Sequence, residues 1–295
     1  MLVALLCGAA SALAALAQRQ GCGIFIILDS PITAEQALRF SALETEQAES
    51  VGFCFYSVQE GKHLYCPDTG RSAEVTAVSV LGNAGLLGAD ALSWASGCIL
   101  DRATAQALFG AEEVGRQQAV LGAQNRQVLA SVSALTPTAF VSAAGAETLN
   151  QCVLAGWDEP RIAEQFLLRY GLSGTVLNFY PILVFTKNLC LLPLWAMLIC
   201  LCRTAGHRSR WLGWLAALAG IAVLGRAVIV PGDAIPNLWS DFSFWGNWLR
   251  AQRENLLSVF TWAPVDRALQ MERDMVKSIL CAMAGTMAAV IGGRR

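Results

Sequence analysis

The chain has 295 residues, 55% of them hydrophobic and only 15% charged, with a net charge of −1, whereas an ordinary soluble domain carries about 25% charged residues. The deficit is uneven: long uncharged runs occupy both ends and the third quarter, while residues 29–175 have the composition of a soluble domain. That stretch holds eight basic and sixteen acidic residues, about −8 in all, a poor match for nucleic acid or for an anionic lipid surface.

Residues 1–28 form an N-terminal apolar segment and a lead-in. The run Met1 to Ala17 has no basic residues at its start and ends Ala15-Leu16-Ala17, which fits both a retained membrane span and a cleaved signal with a small-x-small site. Either reading exports residues 29–175.

Residues 29–175 read as an extracytoplasmic α+β domain. Ile24 to Leu28 predicts a strand, and Thr33-x-x-Gln36 is a capping-box pattern that starts a helix over 33–48. Val51–Val58 and His63–Cys66 are β-rich and joined by Gln59-Glu-Gly-Lys62, which predicts a hairpin, and Glu74–Leu81 predicts a further strand. In that hairpin Cys54 and Cys66 would lie nearly opposite, so they are a candidate disulfide; the alternative is that both are small buried apolar residues. Asp101 suits the N-cap of a short helix from Arg102 to Phe109, stopped by Gly110. Gln117–Leu121 and Arg126–Val132 predict paired strands around Gly122, and Pro160–Leu172 an amphipathic helix. Strands and helices come in mixed order, without the alternation of a doubly wound sheet.

Residues 176–295 predict a three-span membrane domain, with uncharged runs near the roughly 20 residues a crossing needs at about 181–202, 211–230 and 276–292. With the N-terminal segment retained, the expected architecture is an α-helical bundle of about four spans. Lys187 and Arg226 lie near the outer ends, where long side chains reach the interface. Between the first two runs, the short loop 203–210 holds Arg203, His207, Arg208 and Arg210 and no acid, and the chain ends Arg294-Arg295; the positive-inside bias puts both in the cytoplasm and residues 29–175 outside. In the outer loop 232–274, Trp239, Trp245, Trp248 and Trp262 are candidate interfacial anchors, on a helix lying on the membrane surface or packed against the rest of the protein. Small residues in the last span (Ala282, Ala284, Gly285, Ala288, Ala289) permit close helix packing.

Catalytic chemistry is sparse. The two histidines, His63 and His207, fall on opposite sides of the membrane in this topology. There is no His-Glu-x-x-His motif, no Gly-x-Ser-x-Gly elbow and no Gly-x-x-x-x-Gly-Lys-Ser/Thr phosphate loop, and no cysteines have Cys-x-x-Cys spacing. The expectation is a protein that is not an enzyme by itself and needs no cofactor or metal.

The segment Cys98-Ile-Leu-Asp-Arg-Ala-Thr-Ala-Gln-Ala-Leu-Phe-Gly110, then Val114-Gly-Arg116, Gly122 and the strand Val128–Val132, resembles the periplasmic core domain of MacB/FtsX-type ABC transporter permeases. The order of parts is also similar: one N-terminal span, a large exported domain, then three spans. The resemblance implies a multi-pass subunit of the plasma membrane with cytoplasmic termini. It also implies pairing with a like or different permease, and a separate P-loop ATPase that meets the connector around Arg203, His207, Arg208 and Arg210. The family's charged coupling segment after the exported domain has no clear counterpart. The alternative function is a membrane-anchored extracellular binding or sensing protein without transport; a membrane-embedded enzyme is a third reading, against which stands the lack of histidines or paired carboxylates in the spans.

Overall fold

The structure is a computed structural model that describes residues 2–20, 23–47, 50–156, 160–208, 210–230, 242–262 and 266–292. In chain order its elements are α1 (Leu2–Gln20), β1 (Ile24–Thr33), α2 (Ala34–Thr45), β2 (Phe53–Tyr65), β3 (Ser72–Gly82), β4 (Cys98–Asp101), α3 (Arg102–Phe109), β5 (Gln118–Leu121), β6 (Gln124–Val132), β7 (Thr138–Ser142), β8 (Thr148–Leu154), α4 (Pro160–Tyr170), β9 (Gly174–Leu177), α5 (Tyr180–Leu189), α6 (Leu192–Arg208), α7 (Arg210–Ala227), α8 (Phe242–Thr261) and α9 (Asp266–Gly292). They divide into an α/β unit, Cys22–Asn178 with Ala263–Leu269, and a helical unit, Met1–Gly21, Phe179–Trp262 and Gln270–Arg295.

In the α/β unit the strand order is β3-β7-β4-β6-β5-β2-β8-β1-β9, and β2 also pairs with β3. Six strands therefore close on themselves (β3, β7, β4, β6, β5, β2), while β8, β1 and β9 extend from the other half of β2. The ring follows from side-chain alternation. Leu64, Val75, Cys98 and Leu100, Ala119, Val128, and Ala139 and Val141 come from six different strands and form one core, which Ala105 and Leu108 of α3 join. The flanking strands have a second core, where Ala34 and Ala37 of α2 and Ala163, Phe166 and Leu167 of α4 pack on Ile24, Ile26, Phe53, Phe55 and Leu154.

Local signals held. Thr33 and Gln36 form the complete capping box of α2. Asp101 caps α3, accepting from the Thr104 N–H at 2.9 Å, and Gly110 ends it at φ 76°. The other Asp101 oxygen accepts from the Thr138 N–H at 2.9 Å, tying β4 to the start of β7. β1 runs five residues beyond its predicted end, and its pairing with β8 is irregular between Ile27 and Ile32; Pro31, which has no N–H to give a ladder, lies in that irregular stretch.

The predicted hairpin at 51–66 is corrected. Residues 53–65 are one strand, and its register against β3 passes from Gln59↔Ala77 to Lys62↔Val75, one extra residue in β2. Gly61 has φ 66°, the left-handed conformation that a bulge and a tight turn both use. The disulfide expectation falls with it: Cys54 and Cys66 are both buried and lie at opposite ends of an extended segment rising about 3.3 Å per residue, against a Cα separation of at most about 7 Å in a disulfide.

In the helical unit, Tyr180–Thr204 and Ala268–Gly292 are long and apolar enough to cross a membrane, whereas the apolar stretches Leu5–Ala17 and Gly213–Ala227 are shorter. The first of these two segments is broken at Cys190–Leu191 between α5 and α6; Pro193 cannot donate to the turn before it, and its ring crowds that turn's carbonyl. The small-residue expectation for α9 is met at three positions. Ala282 and Ala289 are buried, and a Cβ on Gly285 would lie 3.1 Å from Pro193 Cγ and 3.3 Å from Leu6 Cβ. Ser278 donates to the Ala10 carbonyl at 2.8 Å, joining α9 to α1.

Candidate functional site

The predicted loop 203–210 is corrected to helix: α6 continues through Arg203 and His207 to Arg208, and α7 begins at Arg210. A single glycine, Gly206, costs about 1 kcal/mol and does not stop a propagating helix. The basic residues therefore lie at the facing ends of two helices. Arg203 is exposed at the end of a groove between α6 and α7 lined by Trp195, Leu198, Ile199, Ala217 and Ile221.

The tryptophans divide. Trp245 and Trp248 lie together on α8, their rings 6.3 Å apart and edge-on, with Trp245 exposed. Trp262 corrects its prediction: it is buried, its ring 6.1 Å from that of Phe179, so protein covers the indole that the composition assigned to headgroups. Trp239 lies outside the described residues. The predicted outer loop also ends early, because α9 is already helical from Asp266.

A feature the sequence did not reveal is a cleft of about 510 Å³ in the α/β unit, between α2, the start of β2, the end of β3 and the 92–96 segment. Its lining combines the hydroxyl-bearing Ser41, Ser50, Ser93 and Ser96 with apolar Leu38 and Leu92, and its volume lies within the range of small-ligand sites. No linear motif marks it, because its residues come from separate segments between Leu38 and Ala143.

The carboxylate at its edge is committed to the fold. Glu44 is buried and accepts from Arg169 Nη1 at 3.0 and 3.2 Å, from the Val51 N–H at 2.8 Å and from the Tyr170 hydroxyl. Burial alone would raise its pKa; the hydrogen bonds from Tyr170, Val51 and Arg169 outweigh burial and hold it below its ordinary 4.5. Burial first, and then Glu44, push the Tyr170 phenol up to about 12, so it remains a donor. With Glu44 so engaged, the described lining residues offer a ligand hydrogen bonds from serine hydroxyls and apolar contact from Leu38 and Leu92. Among the described residues, no cluster of three His, Cys, Asp or Glu side chains could hold a metal ion.

No protein-family model matches the chain, and no curated protein matches it in sequence. Among solved structures it is similar to the periplasmic region of MacB from Actinobacillus actinomycetemcomitans. The identity there is 13% and the TM-score 0.40, over 55% of this chain and 92% of that one. It is also similar to the extracellular domain of the noncanonic ABC-type transporter YknZ from Gram-positive bacteria, at 11% identity and TM-score 0.37, over 52% of this chain and 97% of that one.

Proposed function

We propose that the chain is a permease-like membrane subunit of an ABC-type transporter or mechanotransmission complex, whose ATP hydrolysis comes from a separate P-loop ATPase. The observation that carries this reading is the way the α/β unit is inserted. Its main part lies between α1 and the rest of the helical unit, and its last segment includes the first turn of α9, which continues unbroken into a span-length apolar stretch. Asp266 of that first turn accepts from the Leu135 and Thr136 N–H groups, within the α/β unit. A ligand-dependent shift of the 135–138 segment would therefore pull on the start of a membrane helix.

In this reading α1, the broken α5–α6 segment, α7 and α9 are four crossings. Both termini and the arginine-bearing ends of α6 and α7 are then cytoplasmic, and the α/β unit is outside. Purification in mild detergent from the native membrane, followed by mass spectrometry, should recover a stoichiometric P-loop ATPase, and Arg208→Glu with Arg210→Glu should reduce its recovery. A preparation without an ATPase would sink the permease reading and leave the second one: a membrane-anchored extracellular binding protein, which the serine-lined cleft favours.

A further inference from the structure

The closed ring of β2, β3, β4, β5, β6 and β7 has two unlike ends. Its apolar end holds Leu100, Cys98 and Val75 and is joined by α3. Following the same inward-facing positions two residues at a time toward the other end changes the chemistry. Leu64 gives way to Lys62 on β2, Val128 to Arg126 and Gln124 on β6, and Val75 to Ala77 and Ser79 on β3. Lys62, Arg126, Gln124, Ala77 and Ser79, with Gln59, Glu147 and the apolar Leu121 and Val141, line a cavity of about 230 Å³. The lumen is thus apolar at one end and ends in a polar mouth carrying two cations and one carboxylate.

Two observations make this mouth more than a solvated rim. The bulge at Gly61 inserts one residue between Gln59 and Lys62, and it is this shift that puts the lysine, rather than its neighbour, on the lumen face. Among the described residues, neither Lys62 nor Arg126 is in an ion pair, although the surrounding domain is acidic; Arg126 donates to the neutral Gln124 amide, and Glu147 accepts from the Ala144 N–H at 3.2 Å.

We infer that the polar mouth of the β-ring is a binding site for a single phosphate-class oxyanion. Two cations match a dianion, and Arg126 can present paired N–H donors to its oxygens. The Gln59 and Gln124 amides and the Ser79 hydroxyl supply neutral donors. The volume is below that of a drug-sized pocket and suits one oxyanion group. Glu147 opposes the anion and limits its affinity.

The test is calorimetry on the full chain in detergent, titrated with inorganic phosphate, glycerol 1-phosphate and acetate. Saturable phosphate binding is expected, weakened at least tenfold by Lys62→Gln and by Arg126→Gln, strengthened several-fold by Glu147→Gln, and unchanged by Arg102→Gln on α3. Lys62 is exposed at the rim, so its variant remains informative if the Arg126 variant is poorly folded. Equal binding of glycerol 1-phosphate would assign the site to a substituted phosphate such as a headgroup, and binding of inorganic phosphate alone to the free anion. Absence of phosphate binding, binding indifferent to Lys62→Gln, or tighter binding of acetate would overturn the assignment. None of these outcomes depends on recovery of an ATPase.

Discussion

Glu44 and Arg169 are 125 positions apart in sequence and 3.0 Å apart in space. Together they fasten α2 to α4 over the aromatic cluster in which the Phe53 and Phe55 rings lie 5.2 Å apart and those of Phe166 and Tyr170 4.9 Å apart. Glu44→Ala would leave the Val51 N–H and the Tyr170 hydroxyl without their acceptor. It should cost about 2 kcal/mol, less than a fully buried pair because Arg169 is 37% exposed.

The same carboxylate gives a pH dependence. Its folded pKa lies below 4.5, so its stabilisation is complete above that value and is lost as pH falls through the folded pKa. Thermal unfolding in detergent should show the wild type losing stability below about pH 4.5 more steeply than Glu44→Gln; parallel profiles would show that Glu44 does not report this linkage.

Asp101 joins α3 to β7 through two carboxylate oxygens. Asp101→Ala removes both an N-cap and the acceptor of the buried Thr138 N–H and should cost about 2–3 kcal/mol. Asp101→Asn keeps one acceptor oxygen and should recover part of that. Denaturation midpoints of the two variants distinguish a capping role from a generic surface effect.

The thiols of the α/β unit should be inert. Burial pushes the Cys98 thiol up to about 12, with the Arg126 charge opposing, and pushes Cys152 well above its ordinary value. At pH 7.5, iodoacetamide should label Cys54, Cys66, Cys98 and Cys152 only after unfolding, and peptide mapping without reductant should find no link between Cys54 and Cys66.

In the helical unit two glycines make opposite predictions. Gly285 is in contact range of Pro193 and Leu6, whereas a Cβ on Gly225 would meet nothing within 4 Å. Gly285→Leu should lower stability by about 1–3 kcal/mol through overpacking, and Gly225→Leu should be tolerated. Equal melting temperatures for the two variants would rule out the close approach at Gly285.

What the sequence determined by itself was local. The Thr33–Gln36 box, the Asp101 cap with its Gly110 stop and the α4 periodicity each act within one or two turns of chain. The two span-length apolar runs are set by composition alone. What only the tertiary structure decided was non-local. A glycine with positive φ serves a turn or a bulge equally well, so the path of β2 through Gly61 depended on its pairing with β3 on one side and with β5 and β8 on the other. That pairing separated Cys54 from Cys66, closed the six-stranded ring and put Lys62 and Arg126 on the lining of one cavity at its mouth. Trp262 followed the same rule: an indole suits headgroups and protein alike, and packing against Phe179 buried it. Periodicity tells which face of an element is apolar, whereas register and closure depend on which strands meet.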